Sequence, residues 1–342
     1  MGYLRVVRAL IIEQVLSGLI IGLMFGVVLQ RGRVCFNSAF RDVLLFKDST
    51  LVKAIWIAIV VEMIGFAALT DAGLLTPYPR GLYWGANILG GFLFGVGMVL
   101  AGGCVSGSTY RAGEGMVGSM LALVGLGAGA TITLSLWLSP FKNAVQAATR
   151  IRFGGGAPTL PFVIGLNHWV IITPILVITV ILTWRALRGT DFRSLSVFGK
   201  GWPWWLSGVL LGLVATISYP ALEFAGGTYP GWVGGYIGFT AAIFGINPGY
   251  SFRWEMALIV GVILGAFFAA LAAKELKLRI PPPRLMAQSL FGGLVMGFGC
   301  VLGDGCNIST ILIGVPLFSI GSILAGTFTI FGVWTAAYFM FR

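Results

Sequence analysis

Three cysteines stand in three polar, glycine-rich clusters: Cys35 in QRGRVCFNSAFRD (30–42), Cys104 in GGCVSGSTYRAGEG (102–115) and Cys306 in GDGCNIST (303–310). A thiol packs as a small hydrophobe, but it also offers a soft sulfur and a weak S–H donor. Ser106, Ser108 and Thr109 follow Cys104, and Asn307, Ser309 and Thr310 follow Cys306. These side chains add donors to the main-chain amides that a helix start presents to an anion. Arg33, Arg41 and Arg111 flank the cysteine clusters. They either draw an anion to a pore mouth or set topology as interfacial charges. The pattern suits a solute that itself carries a soft sulfur or selenium. Against it stands close helix packing through small residues.

A thiol redox pair is a third reading. Cys300 and Cys306 are six apart rather than in a C-x-x-C arrangement, and Cys300 is assigned to the core. Asp304, next to Cys306, would repel an anion if ionised, so it faces away, carries a proton or holds a counter-ion. Glu13, Glu62 and Glu223 lie in apolar surroundings, where an ionisable group suggests proton coupling. Glu114 follows Arg111 by three residues and is expected to pair with it on one helical face. With one histidine and 11 acidic residues, there is little material for a metal site or for His-based hydrolysis. No catalytic residue, metal or cofactor is assigned. The one histidine, His168, reads as an interfacial hydrogen-bonding group.

The elements that must position these groups are membrane spans. Of 342 residues 58% are apolar and 10% charged, with a mean hydropathy of +0.96. A soluble domain could house such a chain only by exposing large apolar patches. The net charge of +11 falls mostly between apolar runs, as membrane topology requires, and no basic helix interleaved with aromatics points to nucleic acid. Apolar runs at 9–30, 54–75, 116–138, 161–184, 204–225, 254–273 and 320–340 read as spans. The first lacks a signal-peptide cleavage pattern and reads as a retained span. The runs 85–101 and 286–302, each about 17 residues, are short for roughly 30 Å of hydrocarbon, and 232–246 is shorter still and reads as re-entrant.

The halves repeat. Shifting 89–108 by 202 positions onto 291–310 places Gly90, Gly91, Gly95 and Gly97 on Gly292, Gly293, Gly297 and Gly299. It also places Gly103-Cys104 on Gly305-Cys306 and Cys300 on Met98. LSGLIIGL (16–23) likewise resembles LSGVLLGL (206–213). The expected organisation is an N-terminal half over 1–184, a basic linker over 185–203 and a C-terminal half over 204–342. Corresponding short, glycine-interrupted segments are where repeat-built transporters place their binding sites.

The ordered set FGVVLQRGRVCFNSAFRD (25–42), GVGMVLAGGCVSGSTYRAGEG (95–115), GGLVMGFGCVLGDGCNIST (292–310) and FGVWTAAY (331–338) resembles the YeeE/YedE sulfur-transport family of integral membrane proteins, most of all its thiosulfate permease members. The resemblance covers nearly the whole chain. It implies an all-α polytopic membrane protein, hourglass-like, with two pseudosymmetric repeats and short broken or re-entrant helices. It implies a permease rather than an enzyme, in the inner membrane of a bacterium or archaeon. Thiosulfate would pass along Cys35, Cys104 and Cys306 through transient S–H···S contacts, beside a TusA-like cytoplasmic sulfur carrier. The third motif departs from the family pattern, with Asp304-Gly305 in place of a double glycine, Ser309 changed, and Cys300 where a small residue is usual. Importers of selenium or other sulfur compounds, and a membrane thiol redox enzyme, are the alternative readings.

Overall fold

The computed structural model describes residues 2–153, 158–188, 201–226, 231–245 and 253–341. Most of the expected linker (189–200) and Pro248 lie outside them. In chain order the helices are α1 (Gly2–Gly32), α2 (Phe36–Leu45), α3 (Thr50–Asp71), α4 (Trp84–Leu100), α5 (Val105–Gly113), α6 (Val117–Ser135), α7 (Ser139–Ala148), α8 (Leu160–Ile164) and α9 (His168–Leu187). Then come α10 (Trp204–Phe224), α11 (Trp232–Phe244), α12 (Trp254–Ala272), α13 (Pro283–Leu302), a π-helical turn (Ile308–Gly314) and α14 (Ile320–Phe341). A two-residue ribbon pairs Leu82–Tyr83 with Arg150–Ile151. Among the described residues nine helical segments are long and apolar enough to cross a membrane. The protein is an all-α polytopic membrane protein.

Several boundaries differ from those the apolar runs predict. The span expected at 54–75 is α3, four residues earlier, because Asp48 accepts the Thr50 N–H at 2.9 Å and lets polar residues open the helix. The run 161–184 is cut at Gly165, which adopts a left-handed conformation after α8, and Asn167 then caps α9 by accepting the Trp169 N–H at 3.1 Å. The expected loop 139–159 contains α7, with Pro140 in its first turn. The Pro281-Pro282-Pro283 run ends at the first position of α13, where a missing N–H costs nothing. That gives α13 20 residues instead of 17. Helix α11, with 13 residues, reaches about 20 Å and is too short to span.

The helices pair in exchanged sets. Helix α1 packs on α12 and α10 on α3; α13 packs on α6 and α4 on α14; α4 and α13 pack on each other, as do α1 and α10. Glycines set these approaches. Gly91 and Gly95 lie on the main chain of Ala325 and Thr329 in α14, while Gly293 and Gly297 lie on that of Ala122 and Leu126 in α6. Between α4 and α13, Gly97 meets Met296 and Gly292, and Gly299 meets Phe94 and Gly90. Helix α9 lies outermost, with Val170, Val177, Ile178, Ile181 and Leu182 exposed.

Gly299→Val places branched carbon against the backbone of α4. It should lower stability by about 1–3 kcal/mol or more, seen as a fall in the thermal unfolding midpoint of detergent-solubilised protein. Gly102→Ala meets no neighbour and should cost only the left-handed backbone strain, about 1–2 kcal/mol.

Candidate functional site

The site forms where α4 and α13 stop. Helix α4 ends at Leu100, and the chain turns through Gly102 at φ +74 and re-enters a helix at Cys104. Helix α13 ends at Leu302, and the chain turns through Asp304 at φ +62 before Cys306. Asp304 thus takes the left-handed position that glycine fills in the first break, a conformation open to short polar side chains. The turns bond alike: Gly103 N–H donates to Met98 O at 3.0 Å and Gly305 N–H to Cys300 O at 2.8 Å. Ser108 N–H donates to Cys104 O and Thr310 N–H to Cys306 O, both at 2.8 Å.

Distant side chains satisfy the carbonyls these breaks leave open. Gln288 reaches Leu100 O at 3.2 Å, and Gln146 reaches Leu302 O at 3.0 Å. Arg111 donates to Gly102 O at 2.9 Å. Arg80 donates to Asp304 O and pairs with the Asp304 carboxylate at 2.8 Å. The awkward acid beside Cys306 is therefore a partner of Arg80. Arg111 does not pair with Glu114, because its guanidinium is held on the Gly102 carbonyl; Glu114 binds Arg33 at 2.9 Å and Gln30 at 3.1 Å instead.

All four cysteines are buried free thiols. Cys35 caps α2, and its Sγ lies 3.7 Å from that of Cys104. Cys104 caps α5 by accepting the Gly107 N–H at 3.2 Å, and its sulfur also meets Ser106 Oγ at 3.3 Å. Asn307 Nδ2 lies 3.5 Å from Ser106 Oγ, so the two breaks touch through these side chains. Ser309 Oγ accepts the Cys306 N–H at 2.8 Å and approaches its sulfur at 3.6 Å. Cys306 precedes Asn307 in the chain, and a line of contacts links Cys35, Cys104, Ser106 and Asn307 in turn. Asn307 Oδ1 and Ser108 Oγ are buried beside it with no protein hydrogen-bond partner.

Not every candidate joins that line. Thr310 bonds back to Cys306 O, and Thr109 to Val105 O and the Tyr236 hydroxyl. Arg33 is tied to Glu114 and, at 2.8 Å, to Glu275. Arg41 pairs with Asp42 and lies over the Phe341 ring. Cys300, assigned to the core, is buried as expected, and it lines one cavity with Cys306. A cavity of about 190 Å³ is lined by Arg80, Lys142, Cys300, Asp304, Cys306 and Ser309. A second, of about 310 Å³, is lined by Gly102, Arg111 and Arg279. Arg80, Tyr236, Gln146 and Gln288 were invisible to spacing, because each meets its partner across a long stretch of chain. The left-handed, motif-matched Asp304 is the one local signal that a cation would be needed there.

A profile of the sulphur transport family matches residues 31–335. The chain belongs to the sulphur transport family. Among its family relatives, a protein of Spirochaeta thermophila named thiosulfate transporter TsuA is 42% identical over 337 residues, covering 95% of this chain and 99% of the relative. The Escherichia coli protein of the same name is 30% identical over 347 residues, covering 96% and 95%. The Escherichia coli probable transporter YedE is 38% identical over 120 residues, 35% of this chain and 29% of its own. These family relatives are named as transporters, in line with a permease.

The Cys35 and Cys104 thiols are in hydrogen-bond contact, at 3.7 Å. Mild oxidation of the reduced protein should link Cys35 to Cys104, read by peptide mapping, and should not link Cys104 to Cys306.

Proposed function

We propose that the chain is a permease of a bacterial or archaeal inner membrane that imports thiosulfate. The two halves, 1–184 and 204–342, act as pseudosymmetric repeats whose broken helices meet at the centre. The single observation that carries this reading is the line of contacts from Cys35 through Cys104 and Ser106 to Asn307, the chain neighbour of Cys306. Support for the repeat comes from the exchanged helix pairs and from the matched turns at Gly102 and Asp304. Support for the substrate comes from relatives named for thiosulfate over nearly their full length.

Thiosulfate has two ends. Its oxygens carry most of the charge and suit hydroxyl, amide and main-chain donors; its terminal sulfur is soft and polarisable and suits a thiol. Arg80 and Lys142 line the cavity at the second break, and Arg111 and Arg279 the cavity at the first. Those charges concentrate the dianion at each end. Between them Ser106, Ser108, Asn307 and Ser309 replace part of its hydration, and each thiol meets the terminal sulfur in turn. Weak S–H contacts keep every step shallow enough for the ion to leave. A TusA-like carrier receives the product at the cytoplasmic mouth, as the family resemblance implies.

The 3.7 Å approach of Cys35 and Cys104 favours one other reading, a membrane thiol redox enzyme. That reading requires a Cys35–Cys104 disulfide to accumulate in each turnover.

In cells with this protein as their one thiosulfate importer, Cys104→Ser and Cys306→Ser should each cut labelled thiosulfate uptake at least about tenfold, and Asn307→Ala by a similar factor. A tenfold loss corresponds to about 1.4 kcal/mol of barrier. Normal uptake by both cysteine variants would remove the relay.

A further inference from the structure

Glu62 lies near the middle of α3, fully buried, and neither of its carboxyl oxygens has a hydrogen-bond partner. Ile55, Ile59 and Phe66, on the same face of the helix, are buried with it. The elements packed on α3 are α10, α9, α2 and the π-helical turn, and their titratable groups are engaged elsewhere. On α10, the Tyr219 hydroxyl accepts the Tyr78 N–H, and Glu223 binds Thr76. On α9, His168 pairs with Asp71 on α3 itself, while Arg185 lines a surface groove with Lys53 and Trp56. On α2, Arg41 pairs with Asp42. The π-helical turn carries no titratable group; the thiols of Cys35 and Cys306 stand before α2 and before that turn, held by the contacts already described.

Packing does not require an acid at this place. Gly18 meets Trp254 O and Ala257, and Gly208 meets Ala54 O and Ile57; Gly22 meets Leu258 and Gly261, and Gly212 meets Ala58 and Val61. The α1–α12 and α10–α3 contacts therefore match, with a shift of 190 residues from α1 to α10 and of 200 from α3 to α12, which puts Glu62 on Val262. Val262 is fully buried as well, so an aliphatic side chain serves the same structural position. A second polar group lies close by. The Thr216 side chain packs on Gly65, one turn from Glu62, and its buried hydroxyl has no partner either. A cavity of about 220 Å³ is lined by Met63, Phe66 and Thr70 of α3, the first of them next to Glu62 in the chain, and by His168 and Phe318.

A carboxyl group buried without a cation or a donor is accommodated as the neutral acid, because its ionised form would lack any compensation in an apolar interior. A metal cation would demand several oxygen ligands, and only Thr216 offers one nearby. Import of a dianion into an inside-negative cell runs against the membrane field, and a co-transported proton halves the charge moved. We propose that Glu62 is a proton-binding site whose loading and release accompany passage of the anion, so that the protein is a proton–anion symporter. The proton comes from the outer solution, occupies Glu62 while it is buried as it is here, and leaves to the inner solution. This inference rests on the transport reading above.

The test uses the full chain in liposomes with a pH-sensitive dye inside and the potential clamped. Labelled thiosulfate uptake by the unaltered protein should acidify the lumen. With one proton per anion, each tenfold proton gradient should hold a roughly tenfold thiosulfate gradient. Glu62→Gln, checked for an unchanged thermal midpoint, should abolish the response of uptake to the proton gradient, and Glu62→Val, the side chain of the matching position, should do the same. Thiosulfate entry by the unaltered protein without lumenal acidification overturns the proposal, whatever the variants do. A gradient response retained in a folded Glu62→Gln protein, or a sodium gradient that drives uptake in place of protons, also overturns it. Absence of thiosulfate uptake by the unaltered protein under every gradient removes the transport reading itself, and the coupling with it.

Discussion

A helix that stops inside hydrocarbon leaves main-chain groups that lipid cannot satisfy, each at a cost of several kcal/mol. The centre of this protein is organised by that constraint. Helices α4 and α13 pack antiparallel, with one break at each end of their contact, and the carbonyls at those breaks are met by Gln288 and Arg111 at one and by Gln146 and Arg80 at the other. Asn87 adds a bond to Gly303 O at 2.9 Å. Because these partners come from distant segments, the breaks tie the whole helical assembly together. The close α4–α13 approach, which only glycine permits, sets the end of each helix against the start of the other, with Gly303 on Gly90 and Ala101 on Gly292. From there the two chains turn back toward each other, and Asn307 Nδ2 comes to 3.5 Å from Ser106 Oγ.

The same satisfied breaks explain how polar groups can be present without trapping an anion. The arginines at the breaks are committed to carbonyls, and Asp304 offsets Arg80. Deep wells are thus avoided. What is left unpaired beside the line is modest: an amide oxygen at Asn307 and a hydroxyl at Ser108. Thiols add polarisability in place of charge. In the proposed path the field of the arginines brings an anion close, while the groups that touch it discriminate by softness and shape.

Much of this was legible from residue types. The glycine spacing before Cys104 and Cys306 marked two short broken segments, and both helices do end there. Apolar runs gave the spans, since burial in lipid leaves a strong one-dimensional signal. Polar helix starts erased that signal locally, as at Asp48 before α3 and in the short α2 and α7. Long-range pairs left none. Arg80 lies 224 positions from Asp304, and no local pattern joins them. Cys300 reads as a core residue because its repeat mate is Met98, and it is buried; what spacing hides is the cavity it lines together with Cys306. The Arg111–Glu114 pair failed for the opposite reason: helical spacing offered it, and a nearby open carbonyl outcompeted it.

The central claim is that sulfur softness, rather than charge alone, selects the solute. It is tested most directly by uptake of labelled thiosulfate into liposomes containing the purified protein, in competition with unlabelled thiosulfate, sulfate, sulfite and selenite. Sulfate matches thiosulfate in charge and shape but lacks the terminal sulfur. The account predicts strong competition by thiosulfate and little by sulfate at equal concentration. Equal competition by sulfate would contradict it and leave a general anion pathway in which the thiols are packing alone.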